Sequence, residues 1–258
     1  MDKNIFKVKG TYVNGQWFNS KNTYEVFNPS NGEKLADVPI SDTKELEIAV
    51  DSAKKAQIVW SKFSLIERVN CLEKLSKKIL EKEEEFALID SYDSGNALTG
   101  MRKDVKETVN NIRYFCGLVR EVKGETFSME KNHLNFTRYQ PYGIVLKINP
   151  FNHPFRFCVE KIAAPLLMGN SLIIKNSEQA PISSLRFCEL LNGIFPKGLI
   201  NVVTGGPDNG KYLVEHPDIK RIAVIGSANT GIAIAKSAAP LLKNVSLELG
   251  GKNPIIVF

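Results

Sequence analysis

Apolar residues recur in two rhythms along the 258-residue chain. Near the start they come in short runs broken by turn formers. Asn14-Gly15 stands between Tyr12-Val13 and Gln16-Trp17, a dipeptide suited to a tight hairpin because both residues tolerate positive φ. Pro29, Asn31 and Gly32 predict a second turn before a short strand near Leu35 to Val38. The spacing then turns helical. Asp42, with Glu45 three residues on, makes a capping-box pattern, and Leu46, Ala49, Val50 and Ala53 follow at helical intervals. Leu65, Val69, Leu72 and Ile79 predict a second helix, and a further one begins near Gly100 and runs to about Leu118. The acidic run Glu83 to Glu85 between them reads as a solvated face. Thr137 to Gln140 and Gly143 to Ile148 are expected to be extended segments joined at Pro141-Tyr142.

Beyond this point short apolar runs alternate with helical ones. Strands are expected over Ile144 to Ile148, Ser171 to Ile174, Asn201 to Val203, Ile222 to Ile225, Val245 to Leu249 and Ile255 to Phe258. Helices are expected over Phe155 to Met168, Ser183 to Leu191, Lys211 to Glu215 and Thr230 to Ala238. Nearly all-apolar strands alternating with helices predict an α/β fold, a Rossmann-like parallel sheet with helices on both faces, preceded by a strand-and-helix segment. Ligands of such sheets sit at the carboxyl ends of the strands, near helix N-termini. That selects the residues just after each strand: Asn149 to Asn152, Lys175 to Glu178, Thr204 to Gly210 and Gly226 to Gly231.

Composition changes this picture little. An apolar fraction of 43% supports a real core and a charged fraction of 24% is ordinary. The net charge of +6 comes from lysines and arginines mixed with acids along the chain. It makes no clustered footprint, and no nucleic-acid partner is expected. The start MDKNIFKVKG has no apolar signal-peptide core. No apolar run approaches the roughly 20 residues that span a bilayer. Cys71, Cys116, Cys158 and Cys188 form no CxxC pair and lack metal-ligand spacing. The expectation is a cytoplasmic protein with free thiols, no metal and no membrane segment.

Each candidate site residue has a structural alternative. Gly226-Ser227-Ala228-Asn229-Thr230-Gly231 opens a helix, where free N–H groups and the helix dipole attract phosphate, but a plain capping turn reads the same way. Thr204-Gly205-Gly206-Pro207, with Gly210 beyond, is a second glycine-bearing turn at the same end of the sheet. Glu178 after a strand can accept both ribose hydroxyls of an adenosine and repel a 2′-phosphate, with Lys175 donating beside it. Two exposed loop charges are the other reading. Asn152, between Pro150 and Pro154, is placed to donate to a developing oxyanion, or simply to close an Asx turn. His153 reads as a packing or surface histidine. Glu248 between Leu247 and Leu249 is a general-base candidate if buried and an edge-strand acid if not.

The pieces Asn149-Pro150-Phe151-Asn152, Ile174-Lys175-Asn176-Ser177-Glu178, Gly226-Ser227-x-x-x-Gly231 and Leu247-Glu248-Leu249-Gly250-Gly251-Lys252 occur in one order. In that order the chain resembles the aldehyde dehydrogenase superfamily, over essentially its whole length. Val13 to Trp17 and Asn28 to Glu33 are similar to the family's opening segments. The resemblance implies oxidation of an aldehyde to a carboxylic acid with NAD, rather than NADP, as hydride acceptor. It implies Asn152 as the side-chain half of an oxyanion hole and Glu248 as the base that activates water. Lys175 and Glu178 would hold the ribose, Gly226 and Ser227 the pyrophosphate. Gly206 and Gly210 would let the cofactor pass close to the backbone, and Ile148 and Pro150 would line its cleft. Phe151 stands where the family usually has Trp, and Asn176 where it usually has Pro. The Leu134 to Gln140 strand resembles the family's oligomerisation hairpin, expected over about 131–147, which implies a homo-oligomer. The family's nucleophilic cysteine falls a few dozen residues past the LELGGK segment, and none of the four cysteines here matches it. The chain is therefore expected to be inactive alone. It would serve as an N-terminal cofactor-binding portion completed by a C-terminal half in trans, or as a non-catalytic NAD-binding module.

Overall fold

The computed structural model describes residues 3–258. Strands β1 (Thr11–Val13) and β2 (Gln16–Phe18) form the expected hairpin, with Val13 opposite Gln16. Its turn residues Asn14 and Gly15 both have positive φ, 52° and 72°, which matches the right-handed twist of a two-residue loop. Strands β3 (Thr23–Phe27) and β4 (Lys34–Pro39) make a small antiparallel sheet of their own. Four helices follow: α1 (Thr43–Trp60), α2 (Leu65–Glu81), α3 (Glu83–Ser94) and α4 (Leu98–Leu118). A second small hairpin pairs β5 (Thr126–Phe127) with β6 (Asn135–Phe136).

The alternating part contains β7 (Ile144–Ile148), α5 (Pro154–Val159), α6 (Ala163–Leu167), β8 (Ser171–Lys175), α7 (Ile182–Phe187) and β9 (Ile200–Val203). It ends with α8 (Pro207–Glu215), β10 (Ile219–Gly226), α9 (Ala228–Ala238) and β11 (Asn244–Leu249). The central sheet has the order β11-β10-β7-β8-β9-β1-β2. Strands β7 to β11 are mutually parallel, and the N-terminal hairpin extends the sheet antiparallel through Tyr12 and Val202. The opening hairpin, which precedes the parallel strands along the chain, thus extends their sheet. Successive side chains alternate between two apolar layers. Val145, Leu172 and Ile174 join α2 to α7 on one face, while Ile144, Leu146 and Ile173 join the first half of α1 and helices α8 and α9 on the other.

Several expectations are corrected. Asp42 caps α1 by accepting from Glu45 N at 2.8 Å, but the Glu45 carboxylate does not reach back. It is buried and accepts instead from the hydroxyls of Ser41 and Thr11. The full capping box lies one helix later, at Ser64 and Glu67. The acidic run is only partly solvated, since Glu85 pairs with Lys82 and Arg186. The helix expected over Phe155 to Met168 is broken by a 3-10 turn at Glu160–Ile162, because Pro165 has no N–H to return to the preceding turn. The helix expected to Leu191 ends at Phe187 and tightens into a 3-10 turn, Cys188–Leu190. Residues 137–140 are not in a strand, and 144–148 belong to the central sheet, so the small hairpin covers 126–136 instead of 131–147. Ile255 to Phe258 form no strand, because β11 is the sheet edge and none of residues 250–258 pairs along it.

Crossover helices this short leave more polar ends than internal bonds can satisfy, and side chains from the helical layer supply the partners. Asp90 Oδ2 accepts from Phe155 N in the first turn of α5, and Asp93 Oδ2 from Ile182 N in the first turn of α7, both at 2.9 Å. Trp60 Nε1 donates to Leu166 O at 2.7 Å and Arg68 to Leu167 O at 2.8 Å, closing α6. Lys243 donates to Val214 O and His216 O at the end of α8.

Two outcomes follow for stability. Trp60 is fully buried against Phe63 and Phe195 as well as bonded to α6. Trp60→Ala should cost about 3–5 kcal/mol in urea unfolding; a loss below about 1 kcal/mol would contradict the packing described. Burial pushes the Asp90 carboxyl up to about 7 from 3.8, so the folded state holds a proton that the unfolded state has released. The stability Asp90 lends is therefore present below about pH 4 and lost as pH rises to about 7. Wild type should weaken against Asp90→Asn across that interval and run parallel to it above, and parallel curves throughout would exclude the buried proton.

Candidate functional site

Parallel alignment brings five strand ends to one edge of the sheet. Ile148 pairs with Lys175, Lys175 with Val203 and Ile148 with Val224, so the loops that follow are neighbours by register. Asn149 is buried and ties the first two together. Its N donates to Lys175 O at 3.1 Å, and its Nδ2 donates to Asn176 Oδ1 at 3.0 Å. Asn176 thus has a definite task as a side-chain clamp between the loops.

Lys175 and Glu178 sit together just beyond β8. Lys175 is 6% exposed, and its Nζ lies 3.3 Å from Glu178 Oε2, while Glu178 is half-buried and open to solvent. Burial lowers the Lys175 ammonium below its ordinary range, and Glu178 opposes that shift. The turn after β9 comes up against them: a Cβ added to Gly206 would stand 3.3 Å from Glu178 Oε1. Of the three glycines there, Gly205 has the backbone that needs one, with φ +120° and Asn209 within 3 Å of where its Cβ would be. Asn209 Nδ2 in turn donates to Thr204 O and Ser41 O, which ties the turn to the end of β4. Gly206 is the N-cap of α8. Gly210 lies inside that helix, with its N–H on Gly206 O, and not in the loop as the sequence pattern implied.

Gly226 ends β10 and Ser227 caps the eleven-residue α9. The Ser227 hydroxyl accepts from Thr230 N at 3.2 Å and shares a hydrogen bond with Thr230 Oγ1 at 2.9 Å, so the turn caps its helix. Gly231 in the next turn is covered by Leu249, whose Cδ2 would be 2.7 Å from an added Cβ. That contact seats β11 on α9 and gives its alternate residues, Ser246 and Glu248, to the opposite face. Glu248 lines a cavity of about 190 Å³ there with Lys147, Asn149, Lys161 and Ser246. It is exposed on the edge strand rather than buried, so its carboxylate stands open to water.

Asn152 is exposed at the approach to α5. Its main chain is held: Asn96 Nδ2 donates to Asn152 O at 2.6 Å. Next to it His153 Nδ1 lies 2.5 Å from Asp104 Oδ2, and Arg156 reaches the other oxygen of the same carboxylate at 3.2 Å. His153 is committed to that pair. Ile148 and Pro150 are half-buried on either side of Asn149. The site residues therefore fall into two groups at one sheet edge, Lys175, Glu178 and Gly206 in one and the Asn149 loop with Glu248 in the other.

Four polar residues that hold these loops escaped the sequence reading: Asp90, Asn96, Asp104 and Lys147. Only Lys147 carries a local sign, as the single charge within the run Ile144 to Ile148. None of the four cysteines joins either group. All are free; Cys116, Cys158 and Cys188 are buried and Cys71 is half-buried. Burial raises every one of the thiols, Cys116 and Cys158 to about 11. Among the described residues no cluster of three or more His, Cys, Asp or Glu could hold a metal ion, and no helix is long and apolar enough to cross a membrane.

The chain is 35% identical to the aldehyde dehydrogenase tropH of Talaromyces stipitatus over 252 residues, covering 96% of this chain and 49% of that one. It is 35% identical to the 4-trimethylaminobutyraldehyde dehydrogenase of Rattus norvegicus over 237 residues, 92% of this chain and 48% of that one. The fold superposes on the NAD+ complex of the aldehyde dehydrogenase from Bacillus cereus with a TM-score of 0.93 at 32% identity, covering 98% of this chain and 53% of that one. It does so equally on betaine aldehyde dehydrogenase from Staphylococcus aureus in complex with NAD+, at a TM-score of 0.93 and 32% identity, with 97% and 52% covered. The chain spans about half the length of the curated relatives it matches. The model of the aldehyde dehydrogenase family matches residues 17–258, and with these strand-end loops in that order the chain belongs to that family.

Proposed function

We propose that these residues are the cofactor-binding portion of an NAD-dependent aldehyde dehydrogenase, whose whole reaction turns an aldehyde into a carboxylic acid. The observation that carries the reading is the Lys175, Glu178 and Gly206 grouping at the ends of adjacent parallel strands. A solvent-facing carboxylate there accepts from both hydroxyls of a ribose, and the ammonium beside it donates to the same sugar. The carboxylate repels a 2′-phosphate, so NAD is favoured over NADP. Gly206 leaves room that a side chain would fill against Glu178. Gly226 and Ser227, at the N-terminus of α9, give the pyrophosphate free N–H groups and the positive end of a helix dipole. Ile148 and Pro150 line the cleft between the groups, and Gly210 keeps the wall of α8 low. When bound, NAD supplies the hydride acceptor.

The other group does the polar work. The exposed side-chain amide of Asn152 donates to the oxygen of the aldehyde as charge develops on it. Glu248, open to water at the sheet edge, takes the proton of the water that releases the acid. Complexes of related enzymes with NAD+ support the cofactor assignment. Four free thiols support a reducing, cytoplasmic setting. Phe127, Met129, Leu134, Phe136 and Tyr139 expose apolar surface on and beside the small hairpin, which supports a homo-oligomer or a complementing C-terminal half as partner.

The state of the thiols favours a second reading for the 258 residues by themselves, an NAD-binding module without turnover. A nucleophilic cysteine needs to be a thiolate and reachable, and burial holds Cys116, Cys158 and Cys188 protonated and enclosed, while the half-buried Cys71 lies on α2 away from the strand-end loops.

Calorimetry with NAD and NADP tests the cofactor site. NAD should bind more tightly than NADP, and Glu178→Ala should weaken NAD by about tenfold or more, the loss of a charge-assisted pair of hydrogen bonds. Binding that ignores the 2′-phosphate and the substitution would sink the assignment. For the chemistry, the chain should reduce no NAD with a panel of aldehydes. Cys116, Cys158 and Cys188 should be alkylated at pH 7 about a hundredfold more slowly than in urea. Aldehyde-dependent NAD reduction that Asn152→Ala abolishes would show that one of these thiols is the nucleophile after all.

A further inference from the structure

Helix α5 carries Asn152 at its approach yet has only six residues, too few to hold its own direction. Its position is set from outside. At the N-terminal end Asp90, 1% exposed, accepts from Phe155 N. At the other end stands Lys147, 2% exposed on β7. Strand alternation puts Lys147 on the same face as Val145, which packs in the layer that holds Phe155 and Cys158. An apolar side chain is the ordinary occupant of such a place. The lysine instead donates to Phe157 O at 2.9 Å and Cys158 O at 3.0 Å. Those carbonyls lie in the last turn of α5, where the helix has no N–H to offer them and where the dipole is negative. Burial holds the ammonium down to about 8, with Cys158 and Glu160 favouring its charge and Lys161 opposing it. Lys147 also lines the cavity that contains Asn149 and Glu248.

We propose that Lys147 is a positioning residue, which grips the C-terminal carbonyls of α5 from beneath the sheet edge and so fixes the direction in which Asn152 points. The grip works along the helix. Asp90 holds the first turn, Lys147 the last, and the stretch Asn149 to His153 is suspended between β7 and the helix they fix. Asn96 on Asn152 O and Asp104 on His153 hold that stretch from its outer side. Nothing gripped from the outer side alone would set the tilt of α5. The meaning for catalysis rests on the reading of Asn152 as an oxyanion donor, but the positioning does not.

Hydrogen exchange on the free chain, without cofactor, measures it. In Lys147→Met, which keeps the length of the side chain and removes its donors, exchange over residues 151–160 should accelerate by about tenfold, the loss of two hydrogen bonds to a buried helix end. Peptides from β8 and β9 should keep wild-type protection. The side-chain amide resonances of Asn152, assigned with Asn152→Asp, should shift in Lys147→Met and return toward wild type in Lys147→Arg, which restores the donors. Unchanged protection over 151–160 would overturn the proposal. So would faster exchange spread evenly over the sheet, the mark of a general core residue. Should Lys147→Met fail to fold, Lys147→Gln, which cannot reach both carbonyls, decides instead: faster exchange confined to 151–160 supports the grip, and a uniform change or none refutes it. A chain that does not bind NAD would sink the functional reading and leave this result untouched.

Discussion

Parallel strands have to be connected by crossovers, and crossovers cover both faces of a sheet. Water is then absent from the ends of the covering helices. In this protein the crossover helices are short, so their unpaired N–H and C=O groups are numerous relative to their length. Satisfying those ends is the task of several of its buried and half-buried polar groups. Asp90 and Asp93 meet helix N-termini; Lys147, Trp60, Arg68 and Lys243 meet helix C-termini. Acceptors stand at the helix starts and donors at the ends, and the bases at the ends suit the negative pole of the dipole. The two acids also hold the loops after β7 and β8 in place, because each of those loops leads into a helix whose first turn they pin.

The parallel sheet was legible from the sequence because fully buried strands read as unbroken apolar runs and the turns after them carry glycine or asparagine. The positions of Lys175, Glu178, Gly226 and Ser227 at strand ends follow from that pattern alone. So does the opening hairpin, since Asn14 and Gly15 both occupy the left-handed region that its turn requires. Boundaries were less legible. The apolar period places the helix start at Lys211, whereas α8 begins at Pro207, and Gly210 therefore lies in a helical turn and not in a loop. The break at Glu160–Ile162 follows from Pro165, whose effect on the preceding turn an apolar period does not register.

What holds the site was scarcely legible, and the reason is distance along the chain. Asp90 lies 65 residues before Phe155, and Asp104 lies 49 before His153. Local pattern carries no information about such pairs. Glu248 marks the opposite limit. Two flanking leucines suggested a buried strand, yet Leu247 and Leu249 are themselves partly exposed at the sheet edge. The period-two alternation was correct, while the degree of burial depended on what lies beside β11. Asn176 shows how a departure from a family's usual residue gains sense only in three dimensions, as a carboxamide bridging Asn149 across two loops.

The N-terminal hairpin has a consequence for how the molecule is made. Its inner strand is completed by β9, through Tyr12 and Val202, and Asn14 N rests on the side chain of Asn201, 187 residues later. A ribosome releases the first of these residues long before the second exists. Until β9 emerges, Tyr12 and Val13 are an apolar edge without a neighbour, open to other nascent chains. Closing so long a loop is slow, and strands synthesised well before β9 are among the last to find their place.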